Sequence, residues 1–558
     1  MGGRLVVACI VGVGLWSAIG LTPRPLAAAE VAAPGEQRIT AEGLRRQLAF
    51  LASPELEGRE ATERGGRAAA RFLAMQFAEA GLAPVGPAYL SFDAAAPSYY
   101  QPFKVLRHKF SADKTSLRVS RKGPGESVRT YVLGTDFDPG SFVGNLEVSG
   151  PLAFAGHGIT APEVGYDDYA GLDVNGKVVL VFDHEPEETR EDSRWGGAVQ
   201  TRHATFEFKA RSAQRRGAAA LLVMPEPEAS HRSFWDTWDG WEEYATGPRQ
   251  SLDEEDLRIP VLYVRERVGR DILAAAGRDA AQLERDIESG GQPRSQALVD
   301  VAAKVQVGLA EGRVTTTENV VGLVEGSDPA LKDEWVIVSA HHDHNGVREG
   351  LVMPGADDDG SGTVCVLEMA RALVAAERRP RRSVLFASWG AEEKGLLGSR
   401  YYTLHPLAPL KRTAAILQLD MIGRDEAPLN AEDRRRFAGR DTRNTVNLLG
   451  TAYSPELRPL LGRLNAGLDL DLEYKLDRDI EQMLFTRSDQ WPFAQQEVPS
   501  LFFTTGLHPE YHTPADTPEK IRYEKMERIA RLAYRALWAI ADADRRPAFQ
   551  PIPVPPPR

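Results

Sequence analysis

A chain of 558 residues exceeds what one hydrophobic core usually supports, so two or more domains are expected. Hydrophobic residues make up 42% and charged residues 26%, which excludes a largely disordered or multispanning protein. A formal charge of −12 argues against nucleic acid as a partner.

The N-terminus departs from this average. After Arg4 comes the apolar run LVVACIVGVGLWSAIGL, then TPRPLAAAE, in which Ala27, Ala28 and Ala29 offer the small-residue pattern of a signal-peptidase site. The run is short for a membrane span and carries signal-peptide flanks, so residues 1–29 are read as a signal peptide; an uncleaved anchor is the alternative. The expectation is a secreted or periplasmic protein with no membrane attachment after cleavage. Cleavage removes Arg4 and Arg24 and no acid, taking the formal charge from −12 to −14. It also removes Cys9 and leaves Cys365 alone, so no intrachain disulfide is expected.

From Ile39 to Leu82, apolar residues recur at spacings of three and four in TAEGLRRQLAFLAS and RGGRAAARFLAMQFAEAGL, which predicts two amphipathic helices, the second stopping at Gly81. The polar PELEGREATERGG between them reads as an exposed loop. From about Leu117 to Leu262 the texture changes to short β-like runs such as KVVLVFD and IPVLYV with a helix in FEFKARSAQRR, which predicts a compact domain of its own. From about Thr315 onward strand and helix patterns alternate, through EWVIVSA, SGTVCVLEMARALVAA, RSVLFASW, TAAILQLDMI and VPSLFFTT to a last helix around KMERIARLAYRALWAIADA. That alternation predicts an α/β fold with a mixed, mainly parallel sheet flanked by helices. The tail PAFQPIPVPPPR reads as extended and unpacked.

In an open α/β sheet, ligands collect outside the carboxyl ends of the strands. At those ends this sequence places His341, His342, Asp343 and His344; Asp357, Asp358 and Asp359; Glu392 and Glu393; Asp420; and Tyr511, His512 and Asp516. Alone, each piece has an ordinary reading: a hydrogen-bonded strand-end histidine, a helix cap in DDDGSG, an acidic turn in AEE. Together, imidazoles and carboxylates at five strand ends are the donor set for divalent metals, zinc above all, and a shared carboxylate can hold two ions. A general base is still required, and one member of the Glu392-Glu393 pair is free to serve.

The pieces SAHHDH, GADDDGSGT, SWGAEEKGLLGS, LDMIG and EYHTPADT, in this order, resemble the M28 family of di-zinc aminopeptidases, from about Thr315 to the last helix. In relatives of this architecture the helices before Leu82 pack onto the peptidase domain. The segment holding DDYAGLDVNGKVVLV and KARSAQRRGAAALLVM resembles the protease-associated (PA) domain, a small β-rich α+β module inserted between them. The expected organisation is a signal peptide over 1–29, N-terminal helices of the peptidase domain over 36–115, a PA domain over 116–290, the zinc peptidase domain over 300–545 and a proline-rich tail over 546–558.

Carried across, the resemblance implies that His341, Asp358 and Asp420 bind one Zn2+ and that Asp358, Glu393 and His512 bind the other, with Asp358 bridging. It implies that Asp343 hydrogen-bonds the His341 imidazole and that Glu392 is the general base. Tyr511 would steady the oxyanion, and Asp489 or Asp516 would support the ligands. His342 and His344 blur which imidazole binds; His341 is preferred because it gives the His-x-Asp spacing to Asp343. The function implied is removal of N-terminal residues from peptide substrates. Rival readings are a carboxypeptidase or dipeptidase on the same scaffold, with Arg424 or Arg487 as the carboxylate fork, a glutaminyl-cyclase-like activity, and a non-catalytic binding protein. The oligomeric state is left open.

Overall fold

The computed structural model describes residues 32–89, 96–123, 125–140, 144–228, 241–253, 257–429, 437, 439–480 and 482–554. The expected signal peptide lies outside them. Among the described residues no helix is long and apolar enough to cross a membrane.

Runs of Val, Ile, Leu and Phe bury both faces of a strand, and four such runs form the centre of the larger sheet. Ser383–Trp389, Trp335–His341, Thr413–Leu419 and Ser500–Thr504 lie side by side and parallel, and every residue of the first, third and fourth is buried. This is the α/β architecture expected, with the parallel pairing confined to the middle. Leu309–Val324 and Tyr100–Phe110 extend one side antiparallel, Arg249–Leu252 closes that edge, and Thr445–Leu449 with Asp471–Glu473 completes the other.

The first predicted helix is Ala41–Leu51, where the Thr40 hydroxyl accepts the Gly43 N–H at 3.1 Å as an N-cap. The second, Arg64–Ala80, ends at Gly81, whose φ of 88° is the left-handed turn a C-cap needs. Both share one core with Gly362–Val374 and the long Tyr523–Ala541.

A second, eight-stranded sheet has the order Ser127–Val132, Ser116–Arg121, Gln296–Val307, Leu146–Phe154, Val178–Phe182, Ala220–Met224, Val261–Val264, Phe137–Asp138. It carries its own core with the helices Glu266–Ala275 and Ala280–Gly290. The expected domain division differs at one boundary and one internal segment. Gln296–Val307 pairs along Leu146–Phe154, so the smaller sheet runs beyond residue 290, and Arg249–Leu252, inside the expected inserted domain, pairs with Tyr100–Phe110 of the larger sheet. Register is a long-range property that strand composition does not carry.

The tail also departs from expectation. Phe549 stacks on Tyr453 with ring centroids 5.3 Å apart, and Gln550 and Val554 donate their N–H groups to the carbonyls of Tyr453 and Ala452. Proline fixes φ without preventing such docking at an edge.

Candidate metal centre

Each central parallel strand ends at the same rim, and the side chains just beyond converge. His341 is the last residue of its strand; its Nε2 lies 3.3 Å from Asp358 Oδ1, 3.6 Å from Asp420 Oδ1 and 3.8 Å from Glu392 Oε2. Beside this group, His512 Nε2 lies 3.0 Å from Asp358 Oδ2 and 3.2 Å from Glu393 Oε2. Asp358 stands between the two groups with one oxygen toward each. The structure thus brings together the five residues His341, Asp358, Glu393, Asp420 and His512.

The three consecutive aspartates separate cleanly. Asp357 accepts the Gly423 N–H at 2.6 Å, and Asp359 accepts the N–H groups of His341 at 3.1 Å and Gly362 at 2.8 Å. These two outer acids hold backbone, and only Asp358 faces the donor groups. Asp516 is the support that lets it do so, accepting the N–H groups of Asp357 at 3.0 Å and Asp358 at 3.2 Å.

The three histidines separate as well. His342 turns away and is satisfied by Ser388 Oγ, 3.1 Å from its Nδ1, and burial lowers its pKa to about 3, so it is a neutral core residue. His344 points inward, with Nδ1 2.7 Å from Glu393 Oε1 and 3.7 Å from Asp358 Oδ2.

Asp343 is placed differently from expectation. The group within hydrogen-bonding distance of His341 Nδ1 is the Asp343 backbone carbonyl, at 3.2 Å, whereas its carboxylate Oδ1 lies 3.8 Å away. The carboxylate instead accepts the N–H groups of Glu392 at 3.0 Å and Glu393 at 3.4 Å. With both amides of that turn as donors, the Asp343 carboxylate holds the Glu392-Glu393 turn in place.

That turn sends its two side chains in different directions. Glu393 enters the group with His512, while Glu392 lines the adjoining cavity with Asp420, Met421, Leu484, Arg487, Phe502, Leu507 and Tyr511. Burial raises the Glu392 carboxyl well above the usual range; His341 opposes this, and the charges of Asp489, Asp420 and Glu393 add to it. Asp489, buried and pushed up to about 8, accepts a hydrogen bond from Ser399 Oγ at 2.5 Å. Asp420 is steadied by Ser488 Oγ, which donates to its Oδ2 at 2.6 Å. Tyr511 stacks on the His512 ring, centroids 3.7 Å apart, and its hydroxyl accepts from Arg487 Nη2 at 3.3 Å.

Sequence reasoning missed two supports. The stretch PELEGREATERGG is not an exposed loop: Arg59 is fully buried, and its guanidinium donates to the carbonyls of His342, Leu51, Pro354 and Gly355 at 2.7–2.8 Å. Its one charge meets the acids of the site from behind. Asn319 ties the turn before Glu392, its Oδ1 accepting the Gly390 N–H at 3.1 Å and its Nδ2 donating to the Gly398 carbonyl at 2.9 Å. Neither residue has a local spacing that would single it out.

A metal fits these residues. His341 Nε2, Asp358 Oδ2, Glu393 Oε1, Asp420 Oδ1 and His512 Nε2 are buried polar atoms without a hydrogen-bond partner, and native proteins rarely leave such atoms unsatisfied. Two groups have donor atoms within 4.8 Å of one another: His341, Asp358 and Asp420, and His344, Asp358 and Glu393. Nitrogen and carboxylate oxygen in one cluster is the chemistry zinc prefers.

Residues 319–537 match peptidase family M28, and residues 148–272 match the PA domain. The M28 match takes in all five donor residues and Glu392. Among curated relatives, Aminopeptidase YwaD of Bacillus subtilis (strain 168) is 27% identical over 248 residues, which is 42% of this chain and 46% of that protein. An Aminopeptidase of Pseudomonas aeruginosa (strain UCBPP-PA14) is 32% identical over 229 residues, 40% of this chain and 34% of that one. The chain therefore spans less than half the length of these relatives. Among solved structures, the Aminopeptidase from Aneurinibacillus sp. strain AM-1 aligns with a TM-score of 0.44 at 23% identity, over 94% of this chain and 98% of that one.

Proposed function

We propose that this protein is a zinc-dependent exopeptidase, an aminopeptidase that hydrolyses N-terminal residues from peptides, and that it works with two ions per chain. The observation that carries this reading is the convergence of buried, unpartnered donors of His341, Asp358, Glu393, Asp420 and His512 beside a cavity walled by Glu392. His341 and Asp420 hold one position, Glu393 and His512 the other, and Asp358 reaches both. Zinc bound there supplies a Lewis acid for the scissile carbonyl and a water that ionises near neutral pH.

The remaining work falls to the chain. Glu392 lies outside both donor groups yet within 3.8 Å of His341 Nε2, the place for a base that takes a proton from the attacking water and returns it to the leaving amine. Tyr511 presents its hydroxyl at the cavity wall, where it donates to the oxygen that gains charge. The apolar side chains Met421, Leu484, Phe502 and Leu507 shed water and receive the substrate side chain. We also propose export, directed by residues 1–29; N-terminal sequencing of the mature protein beginning elsewhere than near Glu30 counts against it.

The test uses the zinc-loaded chain and three forms of one peptide: free, N-acetylated and C-amidated. Loss of cleavage on acetylation alone is the expected result. Loss on amidation alone assigns the same site to a carboxypeptidase, and one observation keeps that arm in the design. Arg424 is engaged by Glu510 at 2.8 Å, whereas Arg487 is exposed at the cavity, where among the described residues it donates to the Gln482 carbonyl and the Tyr511 hydroxyl. In the aminopeptidase reading, Arg487→Gln leaves the rate on a C-amidated peptide within about tenfold of wild type, because it removes one hydrogen bond to the Tyr511 hydroxyl and no metal donor. A hundredfold loss on the free acid alone in this variant favours the carboxypeptidase.

A further inference from the structure

We propose that His344 is an additional ligand at the second metal position, which makes that position a four-donor site of His344, Asp358, Glu393 and His512. The inference rests on the metallopeptidase reading above and adds a residue to it. His344 is fully buried, and neither ring nitrogen has a hydrogen-bond partner. Its Nδ1 lies 2.7 Å from Glu393 Oε1, yet that oxygen is also without a hydrogen bond. The distance suits a hydrogen bond but the angle does not satisfy either atom, and both fall in one group of donor atoms within 4.8 Å of one another, as metal ligands do. Nδ1 is also 3.7 Å from Asp358 Oδ2, so three donors of the position lie together without His512.

The ring is held there. Gly355 sits under it with φ of 55°, and a Cβ at that residue would stand 2.5 Å from His344 Cγ, so only bare backbone leaves the imidazole its place. The His512 ring meets it edge-on, centroids 5.7 Å apart. The neighbouring His342 shows what a structural histidine looks like in the same run: equally buried, turned to Ser388 and satisfied. His344 has the burial without the satisfaction, which a cation supplies.

One consequence follows for the two positions. His341, Asp358 and Asp420 offer three donors, whereas the second group offers four, so the ions are held unequally and the three-donor position empties first against a chelator.

The experiment is zinc X-ray absorption on the full mature chain, paired with chelator competition on wild type, His344→Ala and His344→Asn. Wild type is expected to show three imidazoles across two zinc ions, and both variants two. The tighter affinity is expected to fall more than about 100-fold in both, beyond the 10–100-fold that loss of an outer partner costs. Two imidazoles across two ions in wild type would overturn the proposal even if a variant failed to fold. So would tight affinity retained by His344→Asn, whose amide nitrogen replaces a hydrogen bond to Glu393 but not an imidazole ligand. Wild type that takes up no zinc at all is a separate result, which removes the metallopeptidase reading and this inference together.

Discussion

Replacing Glu392 with Gln is expected to lower kcat by about 10²- to 10⁴-fold, the usual contribution of a positioned general base, while leaving zinc content unchanged. The expectation comes from how one turn divides two neighbouring side chains. Asp343 grips both N–H groups of Glu392 and Glu393, so the turn is fixed before either side chain acts. Glu393 then reaches His512 at 3.2 Å and joins the donors, and Glu392 borders the cavity and belongs to neither donor group. A glutamine of the same shape keeps the packing and loses the proton acceptor. Stopped-flow turnover beside metal analysis of the same sample decides the matter. Wild-type turnover in the variant would remove Glu392 from the base role; loss of zinc along with activity would move it into the ligand set.

The same turn shows what the sequence makes legible and what it does not. The central strands could be read because an unbroken run such as TAAILQL has to be buried on both faces, and a chain that buries several such runs has few architectures open to it. The acids and imidazoles beyond the strand ends could be read because strand ends are where α/β folds keep their ligands. What each of those side chains then does is set by contacts across hundreds of residues. Three aspartates in a row are equivalent by composition, and they differ because Gly423 N–H claims Asp357, the amides of His341 and Gly362 claim Asp359, and Asp516 pins the backbone of the one between. The family resemblance implied that Asp343 hydrogen-bonds an imidazole, and its carboxylate instead accepts the amides of the next strand's turn. Val199 of the inserted domain packs in one cluster with Met421, Leu484, Phe502 and Leu507 of the cavity wall, and Tyr453 donates its hydroxyl to the Gln200 carbonyl. No local pattern around Val199 announces a place behind that cavity.

Arg59 is the strongest instance of this kind, and Arg59→Ala is expected to destabilise the protein by about 3–5 kcal/mol, the range for breaking a buried charged network by removing one partner. Its guanidinium supplies donors to four carbonyls from three segments: Leu51 at the end of the first helix, His342 beside the first ligand, and Pro354 and Gly355 just before Asp358. Alanine leaves those buried carbonyls without partners and takes away a positive charge that interacts with Asp358, Asp359, Asp516 and Asp343. Lysine does not restore the wild type, because a single ammonium cannot span acceptors spread over a planar fork. The loss also reaches the site: the segments that carry His341, His344 and Asp358 are tied to one another through this side chain, so the donors disperse and zinc binds more weakly. Urea unfolding of the metal-free wild type, Arg59→Ala and Arg59→Lys separates the two effects, since the stability change appears before any metal is added. A variant within about 0.5 kcal/mol of wild type, the range of ordinary surface substitutions, would show that the loops hold their places without the arginine. The donor geometry would then have to come from the acids and their backbone partners alone.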